Sequence, residues 1–247
     1  MKTTVAQHKV HPPAGARPGT LVIPDDAVQP RIGIINYDQT SIEDSELESA
    51  DDLESLRSPR PQTWIDVQGL GSEKMLRSFG EIFSIHPLAL EDIVHLPQRP
   101  KTEVYEENQF FTTRMVRLNE DGSLDIEQVS MFLGEGWLIT FQERYGDVLD
   151  PVRQRLRRGG GVIRELGTDY LCYAIIDTII DQYFPVVERI GDRLEELEEI
   201  VLESPGDWAL AEINRLRRDL LIIRRAVWPQ REAVSTLLRD GSPFVDP

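Results

Sequence analysis

The chain is poor in the residues that most often announce a function. It has one cysteine, Cys172, in 247 residues, so no internal disulfide can form. A small secreted scaffold held by disulfides is excluded, and the cytosol is favoured. Cys172 stands between Leu171 and Tyr173 in an apolar helical run, which reads as a small core residue rather than a nucleophile. The four histidines, at positions 8, 11, 86 and 95, are scattered, and there is no Cys-x-x-Cys or His-Glu-x-x-His, so no zinc spacing is present. Gly-x-Gly-x-x-Gly, a phosphate loop and a Gly-x-Ser-x-Gly elbow are also missing. Two carboxylates of a glycosidase flank a cleft and rarely stand adjacent in sequence. Chemistry on a bound substrate therefore has little support, and an enzyme is not expected. No stretch reaches about 18 apolar residues, so nothing here spans a bilayer, and the N-terminus lacks the apolar core of a signal peptide.

Positive charge is also short. Lys and Arg total 27 against 43 Asp and Glu, a net charge of −16. Such a field repels nucleic acid and anionic lipid and attracts cations. The plainer reading is that it maintains solubility.

What is present divides the chain. Residues 1–165 mix strands and helices and read as an α/β domain. Short strands are expected at 20–24 and 31–37. The acidic stretch 41–55 reads as one or two exposed helices. TWIDVQG (63–69) alternates like a strand, and SEKMLRSFGEIF (72–83) reads as an amphipathic helix with a Ser N-cap. A second short helix runs from Pro87 to about His95, and residues 102–143 read as a three-strand meander. The glycines at 159–161 read as a helix terminator.

From Thr168 one helical pattern continues to Glu203, with Val187, Ile190, Leu194, Leu197 and Val201 spaced 3, 4, 3, 4. Ser-Pro-Gly-Asp (204–207) breaks it. Ile213, Leu216, Leu220, Ile223 and Val227 then repeat the spacing. Residues 166–240 thus read as a long antiparallel helical hairpin, each arm about 50 Å long, too long for a compact domain and so projecting. One arm (181–203) holds eight acids and two arginines; the other (212–232) holds six arginines and three acids. Pairing across the hairpin is the simple explanation.

Two sets of carboxylates interrupt apolar segments. Glu91 and Asp92 are neighbours in HPLALEDIVHLPQRPK (86–101), about 100° apart on a helix, so one can face its own domain while the other faces outward. Asp177 and Asp181 are four apart in LCYAIIDTIIDQYF and share a face. Acids among Ile and Leu carry a desolvation cost unless compensated. Pairing with Arg99 or Lys101 would do so; so would a hard divalent cation with oxygen ligands and retained waters. Glu91 and His95 share a helix face too, which suits a local hydrogen bond or, less simply, a transition metal.

HPLALEDIVHLPQRPK resembles the HPL-x-LEDI…QRPK signature of the CorA family of magnesium and divalent-cation transport proteins. PGTLV (18–22), TWIDVQG (63–69), FQERYGDVLDPVRQRLR (141–157), DYLCYAIIDTIIDQYF (169–184) and VWPQRE (227–232) follow in that family's order, so the likeness covers nearly the whole chain. The resemblance implies an αβα sandwich with a mixed sheet, followed by the two long helices and then a stalk helix that enters the membrane. Residues 241–247 would begin that stalk. The Gly-Met-Asn filter of the family is absent, and the abrupt stop at Pro247 implies the soluble part of a longer, homopentameric protein on the cytoplasmic side of the membrane. It further implies Mg2+, with Co2+ or other divalent ions, at Asp92 in one intersubunit site and at Glu91 and Asp177 in a neighbouring one. Glu91 and Asp92 would then lie near the long helices. Alternatives are a zinc transporter of the ZntB type, which the poverty of His and Cys disfavours, and a metal-independent helical interaction module.

Overall fold

The computed structural model describes residues 12–47, 53, 56, 61–159, 161–203, 206–239 and 242–245. The start of the N-terminal tail, much of the acidic stretch after Leu47 and Ser204-Pro205 of the hairpin turn lie outside the described residues.

Seven strands form one mixed sheet: β1 (Arg31–Tyr37), β2 (Ile42–Leu47), β3 (Gln62–Gln68), β4 (Lys101–Val104), β5 (Gln109–Leu118), β6 (Leu124–Gly134) and β7 (Trp137–Gln142). Their order is β2-β1-β3-β7-β6-β5-β4, and β3–β7 is the parallel pair in an otherwise antiparallel sheet. Alternation assigns each strand's residues to two cores. Ile32, Ile34, Ile65, Val67, Ile139 and Phe141 face α1 (Glu73–Ile82) and α2 (Pro87–Val94). Ile35, Tyr37, Trp64, Met131, Leu133 and Leu138 face α3 (Asp150–Arg158), α4 (Thr168–Asp181), α5 (Tyr183–Glu203) and α6 (Asp207–Arg239). The fold is an αβα sandwich with a mixed sheet followed by a long helical hairpin. Its central strands are apolar on both sides because both sides are covered.

Burial accounts for the lone thiol. Cys172 is 3% exposed within α4, and desolvation pushes its pKa up to about 12, so it is an inert core residue.

Four expectations are revised. Residues 20–24 form no strand: Gly19 has a left-handed φ of 82°, Pro24 has no N–H to give to a ladder, and Leu21 packs against the α2-side core from a loop. Residues 42–47 are not helical but form β2, which covers the open edge of β1. There Arg31 takes Glu46 at 2.6 Å and Arg157 takes Asp44 at 2.7 Å, so tertiary pairing overrides local preference. The meander has four strands, since KTEV is long enough to pair with β5 although too short to show a period. The helical pattern from Thr168 is two helices with a break at Gln182. α4 belongs to the sheet core, while α5, at 21 residues, is about 31 Å long rather than 50 Å. α6, with 33 residues, does reach about 50 Å.

At the carboxyl ends of β3 and β7, Arg153 of α3 reaches under the helical layer. Its guanidinium lies 2.5 Å from Asp66 and 2.6 Å from Asp147, and 5.2 Å from the Trp64 ring centroid. Asp66 also accepts from Thr140 at 2.7 Å and Gln142 at 2.8 Å. Burial opposes the positive charge, and the two carboxylates outweigh it, so the pKa of Arg153 is raised.

The hairpin seam is half of the expected one. Ile190, Leu197, Leu216 and Ile223 are buried, whereas Val187, Leu194, Ile213, Leu220 and Val227 are 41–48% exposed. Ala209, Ala226 and Ala233 of α6 are buried in the same core. Leu202 and Leu210, on the two arms near their ends, are 81% and 63% exposed. Leu197→Ala is expected to cost about 2–5 kcal/mol and Leu194→Ala under about 1 kcal/mol in denaturant unfolding. Equal losses would contradict this seam.

Glu127 on β6 is 1% exposed, accepts from the Arg144 N–H at 2.8 Å, and has an Oε2 without a hydrogen bond. Arg144 and Arg117 stand 3.5 and 3.7 Å away. Burial raises its pKa from 4.5 to about 7. A raised carboxyl pKa means that folding disfavours the charged form. This group therefore contributes fully below pH 4.5, loses up to about 3 kcal/mol as pH rises to 7, and is flat above. Glu127→Gln should remove that slope when unfolding free energies at pH 5 and pH 8 are compared.

Candidate metal centre

The sequence of α2 fixes how its acids are presented. His86 is the N-cap, with Nδ1 accepting from the Leu88 N–H at 3.2 Å, and Pro87 opens the first turn. Ala89, Leu90, Ile93 and Val94 fill the core on the α1 side. That leaves Glu91 and Asp92 at the rim, with side chains 16% and 17% exposed.

Their partners differ. Glu91 Oε2 accepts from the Gly19 N–H at 2.6 Å, and Oε1 lies 3.5 Å from His95 Nδ1, the local pairing expected from their spacing. Gly19 is needed in this contact: its φ is positive, and a Cβ would stand 2.9 Å from Pro87 Cβ. The Pro-Gly motif at 18–19 therefore closes the N-terminal loop onto α2.

Asp92 Oδ2 lies 2.6 Å from Lys101 Nζ, and Gln98 donates to Oδ1 at 2.8 Å. Gln98 is held by Gln128, whose Oε1 accepts from the Gln98 N–H at 2.7 Å and whose Nε2 donates to the Asp92 carbonyl at 3.0 Å. Lys101 also reaches Glu103 Oε1 at 2.8 Å, and Glu103 accepts from the Tyr105 hydroxyl at 2.7 Å. Burial lowers the lysine pKa and the two acids raise it, with a net rise. Of the two basic candidates, Lys101 is the one that pairs with Asp92. Arg99 turns instead to Glu232 of α6 at 3.0 Å.

Asp177 sits half-buried on α4, and Asp181 is exposed at its end. The buried side of α4 belongs to the opposite core from that of α2. Glu91 and Asp92 are thus separated from Asp177 by the sheet. Where α2 itself was expected to lie near the long helices, it is the segment after it that meets them: β4 packs against α6, and Arg99 reaches Glu232. Among the described residues no three His, Cys, Asp or Glu side chains converge as a metal cluster. The donors are hard oxygens of the kind Mg2+ takes, and the ammonium against Asp92 shows a position that accepts positive charge.

Gly19, Gln98 and Lys101 complete the surroundings of α2. The QRPK run pointed to Lys101, while nothing in the local sequence marked Gly19 as the partner of an acid 72 residues away.

This architecture is the one solved for the soluble domain of CorA from Methanocaldococcus jannaschii, with a TM-score of 0.69 at 17% identity, covering 87% of this chain and 82% of that one. A lower likeness, TM-score 0.60 at 16% identity, relates it to the cytoplasmic domain of ZntB from Vibrio parahaemolyticus, over 87% of this chain and 81% of that one. The family model described as CorA-like Mg2+ transporter protein matches residues 62–246. The cobalt/magnesium transport protein CorA of Thermotoga maritima is 39% identical over 237 residues, which are 94% of this chain and 67% of that protein. The chain belongs to the family of CorA-like Mg2+ transporter proteins.

Glu91→Ala should leave the half-buried Gly19 N–H without its charged acceptor, at a cost of about 1–3 kcal/mol. Hydrogen exchange at the Gly19 amide should quicken, and it should not in Asp92→Asn. Unchanged exchange in Glu91→Ala would show that the loop is held by other contacts.

Proposed function

We propose that this chain is the cytoplasmic regulatory domain of a membrane channel for magnesium or cobalt, and that divalent ions bound to its acids bias the channel between states. The observation that carries the reading is the pair of rim carboxylates on α2, directed to different partners, with Asp92 already against a cation. Asp92 is the principal ligand in this reading, and Glu91 and Asp177 serve a second ion. Because the sheet separates Glu91 from Asp177, an ion touching both would have to join two copies of the chain. Such an ion favours whichever assembly brings the copies together, and it acts only through its different affinity for the two states. A homopentamer is the assembly the family resemblance implies.

Membrane attachment in this reading comes from a part of the protein outside these 247 residues. Among the described residues no helix is long and apolar enough to cross a membrane, and the chain spans 67% of the Thermotoga relative. The unit boundary near residue 165 belongs to the same proposal, with α4 anchoring the hairpin on the sheet. The role is binding and not catalysis.

Tens of millimolar magnesium on a site of about 1 mM affinity should add about 2 kcal/mol to folding stability. Asp92→Asn should remove most of this gain, and Asp177→Asn less. Glu81→Gln on the exposed side of α1 is the control for net charge, since Asp44 is committed to Arg157. If Glu81→Gln lowers the magnesium response in thermal melts as much as Asp92→Asn, the ion is screening the whole charge of −16 and no site is needed.

A further inference from the structure

We propose that Lys101 is a tethered cation that occupies Asp92 in place of the divalent ion, and so sets the concentration at which that ion can enter. The inference rests on the reading of Asp92 as a cation ligand and adds what regulates it.

Asp92 is not an open carboxylate. Lys101 Nζ is on Oδ2 at 2.6 Å and Gln98 is on Oδ1 at 2.8 Å, so both oxygens are engaged. An incoming ion has to displace the ammonium. The geometry gives that ammonium somewhere to go. Glu103 is two residues along the same strand and on the same face, and its Oε1 already lies 2.8 Å from Nζ. Lys101 can therefore leave Asp92 without leaving all of its carboxylate partners. The ammonium also lies over the Phe110 ring, 5.7 Å from its centroid, a cation–π contact that helps to hold it near Glu103. Glu103 is itself fixed by the Tyr105 hydroxyl at 2.7 Å, so the second position is built and not improvised.

Two arrangements follow. In one, the ammonium bridges Asp92 and Glu103. In the other, it rests on Glu103 alone and Asp92 faces a doubly charged ion. The apparent affinity for the ion is reduced by the fraction of molecules in which Asp92 is free. A lysine that holds Asp92 in about nine molecules of ten raises the required ion concentration roughly tenfold. The same residue keeps the acid compensated when no ion is bound, which a bare carboxylate at a half-buried rim would not be.

The test is a magnesium chloride titration of the chain followed by thermal melting, in wild type, Lys101→Met, Lys101→Gln and Asp92→Asn, and in the Asp92→Asn/Lys101→Met double variant. Arg158→Gln, exposed on α3 and across the sheet from α2, controls for the loss of one positive charge. The expected result is a midpoint about tenfold lower in both lysine variants, no shift in Arg158→Gln, and no effect of Lys101→Met once Asp92 is Asn. Should Lys101→Met not fold, Lys101→Gln carries the same expectation. Lysine variants that titrate at the wild-type midpoint, beside a wild-type response that Asp92→Asn abolishes, overturn the role of Lys101 and leave the cation reading standing. A shift that persists in the double variant also overturns it. If Asp92→Asn titrates like wild type, the cation reading falls and this inference falls with it.

Discussion

The parallel contact between β3 and β7 is the constraint on which the rest of the structure depends. It joins the three antiparallel strands β2-β1-β3 from the first third of the chain to a meander from the middle, and no short turn can make such a pairing. Arg153 fastens the place where those strands end. It binds Asp66 from β3 and Asp147 from the segment after β7, and it covers Trp64. Removing one partner from such a buried set typically costs about 3–5 kcal/mol, because the remaining charges have no water to turn to. The network also ties the start of α3 to the ends of β3 and β7, since Asp147 accepts from the Leu149 N–H at 2.8 Å as well as from Arg153. Motifs at 63–69 and 141–157 that look like a functional signature are thus, at these residues, the means by which the sandwich is closed.

The position of α2 follows from the same sheet. Its apolar side is spent on the core shared with α1, so its two acids can only stand at the margin. One is taken by the N-terminal loop through Gly19 and the other by β4 through Lys101. α2 therefore ties together the first described loop and the last strand in the sheet order, and a change at either acid is a change in how two distant parts of the chain are held.

Much of this was legible in the sequence. The helices of 72–83 and 87–95 show their caps and their apolar faces, and strands β1, β3, β5, β6 and β7 show alternation or turn signals. The failures share a cause. β2 and β4 are short, charged edge strands whose structure is dictated by the strand beside them, and TLVIP has strand-like composition but no strand to pair with. The seam of the hairpin was half visible: a heptad count finds two stripes, and only packing against the sheet decides which of them is buried. Asp92 and Lys101 stand nine apart across two prolines, so their contact was one of two reasonable pairings and not a deduction. That the sheet lies between Glu91 and Asp177 was beyond sequence reasoning, because it depends on which face each helix covers.

The acidic edge strand has a consequence for how the molecule behaves in a crowded solution. An uncovered strand is a template on which a second chain can extend the sheet, and aggregation begins that way. β2 ends the sheet on one side, and its run of Glu43, Asp44 and Glu46 places negative charge along the edge where a neighbour would have to dock. Asp44 and Glu46 are already paired with Arg157 and Arg31, so a second copy docking there would meet charged groups committed within their own chain. Charged side chains held in this way make β2 a poor template for a further strand, which favours association through other surfaces of the chain.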